Sequence, residues 1–157
     1  MNLRTIEVAR AAWGTALVVA PRAVLASLVH VRIDRPSLVV TRVLGARQVG
    51  QAVLSGVSPS PEVLAMGVWV DAAHSVTAVV LVAADRDRAR AGLADAVVAA
   101  SWAYFGHRDL RTARATAPDH DRRRDRAARW ALGWLPGGAP LLRLAASTRQ
   151  QAPPQVS

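Results

Sequence analysis

The chain has 157 residues, 52% of them apolar, with 20 arginines, no lysine and 11 acids, for a net charge of +9. It contains no cysteine, which excludes disulfides, cysteine-ligated zinc and a cysteine nucleophile. The basic balance admits anionic partners, lipid headgroups or nucleic acid, without choosing between them.

Mean hydropathy is only +0.18 because the halves differ. Residues 1–106 hold 10 arginines against 7 acids in an apolar background, and residues 107–157 hold 10 against 4. Arginine without lysine, amid abundant Ala, Val and Gly, reads as a high-GC genome, so arginine identity carries no argument by itself.

The first apolar stretch, 11–31, is broken at Pro21-Arg22 and reads as one kinked span or as a helix followed by a shorter one. Glu7 interrupts its basic flank and no clean cleavage site follows, so it is not read as a signal peptide. The polar turn 32–36 follows, with Ser37 as the expected cap of the next helix. The second stretch, 38–57, contains Arg42 and Arg47 and ends in the breaker cluster 55–61. Ser60 then suits a helix cap, with Pro61 at the first position and Glu62 in the first turn.

The third stretch, 63–84, carries Asp71 and His74 as its only ionisable groups. As a helix it measures roughly 33 Å, enough to cross a hydrocarbon core of about 30 Å. A surface helix should show a broad polar face, and this one does not. The fourth stretch, 91–106, is short for a span and includes Asp95, for which Arg42 or Arg88 is the expected partner. Gly92, Ala96 and Ala100 form a small-residue stripe suited to close helix contact, with a protein partner or a second copy as the expected occupant. Trp102, Tyr104 and Phe105 stand where an interfacial aromatic belt would lie.

Residues 107–157 read as an Arg-rich, partly disordered tail, with a possible interfacial helix at 127–146 and a disordered end from 150. Arg122, Arg123, Arg124, Arg126 and Arg129 are the expected contacts to anionic headgroups, the cheaper partner for a chain already in a membrane. No nucleic-acid-binding signature accompanies them. His107 with Asp109, and Asp119-His-Asp121, read as solvated charges.

The expected fold is therefore all-α: about four membrane-embedded helices over 1–106, in a multi-pass protein of the cell membrane. The sharpest constellation is Asp71 and His74, three apart on one helix face. Arg47 and Asp71 lie at nearly equal distances from the 55–61 turn and hence at similar depth, with Gln51 one turn beyond Arg47. Arg47, Gln51, Asp71 and His74 are expected to form one intramembrane polar network. The readings are a neutralised plug that fixes helix pairing, or a proton-coupled carrier or ligand site built on Asp71 and His74. A soluble bundle with a nucleic-acid-binding tail is the remaining alternative. No metal site, cofactor or enzymatic reaction is expected: Asp-x-x-His supplies two ligands only, and hydrolase and nucleotide motifs are missing.

The segment 40–51 (VTRVLGARQVGQ), with VDAAH at 70–74, EVARAAWG at 7–14 and APR at 20–22, resembles a group of small actinobacterial multi-pass membrane proteins. The resemblance covers about residues 5–106. That group has no assigned activity, so the resemblance implies a fold class and a location but no reaction.

Overall fold

Local capping chemistry sets most helix limits. α1 (Thr5–Val19) stops before Pro21, which has no N–H to continue the ladder and instead opens α2 (Pro21–Ser27). The two axes differ by 104°. α3 (Arg35–Ser55) is capped by Asp34, whose carboxylate accepts from the Ser37 amide at 2.9 Å and from its hydroxyl at 2.5 Å. The expected cap, Ser37, is thus the donor to the true cap three residues earlier, since the Asp34 carboxylate reaches the free first-turn amide. α3 ends at Gly56, whose φ of 64° suits only glycine without strain. α4 (Pro61–Ala84) starts on Ser60, whose hydroxyl accepts from Val63 N. α5 (Ala89–Arg111), α6 (Arg123–Trp134) and α7 (Gly138–Gln151) complete the chain. This computed structural model describes residues 5–27, 33–56, 59–84, 86, 89–112 and 123–151, and among them there are seven helices and no strand.

α1 lies along α3 through two glycines. A Cβ on Gly45 would stand 2.6 Å from the Gly14 carbonyl oxygen, and one on Gly14 would stand 2.8 Å from that of Gly45. Such backbone contact is how helices adhere where apolar side chains gain nothing from leaving their surroundings. α4 pairs with α5 in the same manner. A Cβ on Gly92 would meet Val82, Ala96 and Ala99 are buried, and Ser75 donates to the Ala96 carbonyl at 3.0 Å. The stripe expected to receive a partner is therefore covered by α4 at Gly92 and Ala96, and only Ala100 of the three is exposed.

α3 buries small and polar residues and exposes several valines beside Arg35 and Arg42. Ser37, Thr41, Gly45, Gln48, Ala52 and Ser55 face inward, while Val39, Val40, Val43, Val53 and Leu54 are exposed. α4 exposes Val76, Val79 and Val80, and α5 exposes Leu93 and Val97.

Of the described helices only α4, over Pro61–Val80, is by itself both long and apolar enough to cross a membrane; α1 and α2 pass together as a bent pair. The expected second span, α3, falls short because Arg42, Arg47, Gln48 and Gln51 interrupt its apolar stretch. The expectation of four membrane helices is thus reduced to an all-α bundle with one clear span candidate. Residues past 106 also depart from a solvated tail. α5 runs on to Arg111, and Leu110, Leu132 and Ala145 share a buried cluster with Leu64 and Ala65 of α4. Asp109, expected in solvent, is buried. Asp119, His120, Asp121 and Arg122 lie outside the described residues, as do 152–157 of the expected disordered end, whereas Gln150 and Gln151 are helical.

Candidate functional site

Asp71 sits mid-way along α4, with 1% of its surface exposed. A lone carboxylate there would be costly, and it is held from two sides. Arg10 of α1 donates to one oxygen at 2.8 Å, and Arg47 of α3 donates to the other at 3.3 Å. One carboxylate therefore ties three helices. Arg47 also donates to the Val70 carbonyl at 3.1 Å, and Gln51 donates to the Gly67 carbonyl at 3.3 Å. Glu7 lies one turn before Arg10 and 3.5 Å from its Nε. The Arg10 guanidinium also lies 5.2 Å from the centroid of the Trp102 ring on α5, a cation–π distance.

These side chains span a seam between two helix pairs, α1/α3 and α4/α5. Formal charge over Glu7, Arg10, Arg47 and Asp71 sums to zero, which lowers the cost of burial in a low-dielectric interior, although Arg47 Nη1 and Gln51 Oε1 are buried without a hydrogen bond.

Of the four residues expected to form one network, the structure brings Arg47 to Asp71 and places Gln51 on the same helix, bonded to the α4 backbone. His74 does not join them. Its Nε2 lies 2.7 Å from Asp95 Oδ2, a separation that places a hydrogen between them, and both side chains are about one-fifth exposed. Asp95 is consequently not the partner of Arg42, which reaches the Val18 carbonyl at 3.4 Å, and Arg88 lies outside the described residues. The reason is rotational: on a helix, a residue three positions on is turned about 60° away from its neighbour. Asp71 thus faces the α1/α3 pair while His74 faces α5.

Sequence reasoning missed Glu7, Arg10 and Trp102. A signal was available for the first two. Glu7, Arg10, Gly14 and Leu17 recur at helical spacing and form the buried face of α1.

A second polar cluster ties the chain's end to the start of α4. Buried Glu62 accepts from Arg149 at 2.6 and 3.0 Å and from Arg129 at 3.2 Å. Fully buried Asp125 accepts from the Ser60 hydroxyl at 2.6 Å. Two of the arginines assigned to headgroups also make internal contacts: Arg129 with Glu62, and Arg124 with the Leu54 carbonyl at 3.2 Å. Arg123 and Arg126 stay exposed. Among the described residues no three His, Asp or Glu side chains are grouped to hold a metal ion. Compared with family models, with curated proteins and with solved structures, the chain matches none.

Proposed function

We propose that this chain is a multi-pass integral protein of a cell membrane, with a structural or interaction role and no catalytic chemistry. In this reading α1, α3, α4 and α5 lie in the bilayer and the Arg10–Asp71–Arg47 bridge fixes how the two helix pairs dock. The single observation that carries it is the partly inverted polarity of α3, which buries Ser37, Thr41, Gly45, Gln48, Ala52 and Ser55 while Val39, Val40, Val43, Val53 and Leu54, beside Arg35 and Arg42, stay exposed. A lipid solvent accounts for that inversion, because acyl chains accept valine at no cost while polar groups gain by turning inward. The candidate span α4 supports the same reading, as does a central charge cluster that sums to zero.

The test is alkaline carbonate extraction of membranes from cells expressing the full chain. Retention in the membrane pellet is expected. Release into the supernatant would overturn the reading and favour the soluble bundle.

A further inference from the structure

The last two helices form a hairpin whose placement along α4 has a regular order. Its two open ends meet the start of α4: Asp125 of α6 accepts from Ser60, and Arg149 of α7 binds Glu62. Its closed end reaches further along. The Pro136 carbonyl, in the turn between α6 and α7, accepts from Trp69 Nε1 at 2.9 Å. Trp69 lies nine residues after Ser60, which is about 13 Å of helix rise. The hairpin thus runs beside the first third to half of the candidate span, with its turn toward the middle of that helix.

Composition follows this order. From Trp130 to Leu142, through the turn, there is no charged residue. Arg126 and Arg129 stand on one side of this run and Arg143 and Arg149 on the other. The outward arc of α6 carries exposed Arg123 and Arg126 near the open end, then Trp130 and Trp134, which are 72% and 79% exposed. The acids of this region, Glu62, Asp109 and Asp125, are all buried. A run of mixed charge in sequence becomes, in three dimensions, a basic rim and an apolar tip.

Part of the tip's backbone is paired internally. Leu135 O accepts from Gly138 N at 3.0 Å, Pro136 O accepts from the Trp69 indole, and Pro136 and Pro140 have no N–H to satisfy. The turn is also tight: a Cβ on Gly138 would run into the Leu132 carbonyl.

We propose that α6–α7 is a re-entrant hairpin that dips its uncharged tip into the acyl region of the same leaflet at which α4 begins, with its exposed arginines at the headgroup phosphates. The occupant of the exposed Trp130/Trp134 face is lipid. With 12 and 14 residues, the helices span roughly 18–21 Å, too short to cross a core of about 30 Å. Both rims therefore stay on one side. This inference rests on the membrane reading of α4.

The natural chain has no cysteine, so single-cysteine variants report without background. Arg126→Cys and Gln150→Cys probe the rims, and Ala139→Cys probes the tip; all three positions are exposed. In sealed membrane vesicles, a membrane-impermeant maleimide should label both rim variants from the same side and lose access to the tip variant. In vesicles of phosphatidylcholine and phosphatidylglycerol, an environment-sensitive fluorophore on Ala139→Cys should be quenched by acyl-chain nitroxide lipid more than one on Arg126→Cys. Rim labelling from opposite sides would overturn the proposal, as would a tip that labels as readily as the rims. A protected tip that acyl nitroxides do not quench would also overturn it, by assigning the face to a protein contact, such as a second copy. If the chain stays in the carbonate pellet while the tip is freely labelled, the hairpin insertion fails and the membrane reading stands. If the chain leaves the pellet, the membrane reading itself fails.

Discussion

Neutralising Asp71 is the perturbation that discriminates most sharply. Asp71→Asn keeps the shape of the side chain but removes the only charge shared by Arg10 and Arg47. Arg10 is 4% exposed and retains the longer contact to Glu7, at 3.5 Å, and the face of Trp102. Breaking a buried pair from one side costs about 3–5 kcal/mol, because the survivor is left without compensation. Arg47 is less committed. Its bond to Asp71 is longer, its side chain is about one-quarter exposed, and it keeps the Val70 carbonyl as acceptor. Arg47→Met is therefore expected to cost less, about 1–2 kcal/mol. Arg10→Met should fall between the two, since Asp71 keeps Arg47. The assay is thermal unfolding in a mild detergent, followed by intrinsic tryptophan emission. For a chain of this size the Asp71→Asn loss corresponds to a fall in Tm on the order of 10 °C. Arg10→Met combined with Asp71→Asn should cost less than the two singles added, by roughly 1–3 kcal/mol, the range of coupling between groups in contact. Additive effects, or an Asp71→Asn variant as stable as Arg47→Met, would refute the reasoning, because the carboxylate would then not be the common partner.

Two further outcomes follow from the same structure. Gly45→Ala places a methyl group against the Gly14 carbonyl and Leu17, so α1 and α3 must separate; a loss of about 1–3 kcal/mol is expected in the same unfolding assay, while Gly50→Ala, where a Cβ meets nothing within 4 Å, should not lower Tm. Glu62→Gln removes the charge that holds Arg149 and Arg129, so limited proteolysis of the purified chain should cut between α5 and α7 faster than in the parent; unchanged cutting would show that the buried cluster of Leu110, Leu132 and Ala145 holds the hairpin alone.

The sequence by itself determined what depends on neighbours along the chain. Pro21 ended one helix and opened another, the 55–61 breakers separated α3 from α4, and Ser60 with Pro61 set the start of α4. Counting residues from that turn was enough to bring Arg47 and Asp71 to one depth, because helix rise is constant. Rotation about the helix axis and the packing of distant segments were decided only in three dimensions. His74 and Asp71 are close in sequence yet face different helices, so His74 joined Asp95 and not Arg47. Arg10 reaches Asp71 across 61 residues only because Gly14 and Gly45 let α1 lie against α3. The charge of the last fifty residues was legible as a sum but not as a surface. Buried Glu62 and Asp125 draw Arg129 and Arg149 inward or hold the hairpin in place, while Arg123 and Arg126 stay exposed. Which charges meet is a property of contact between elements, and local spacing fixes it only where one short turn joins them.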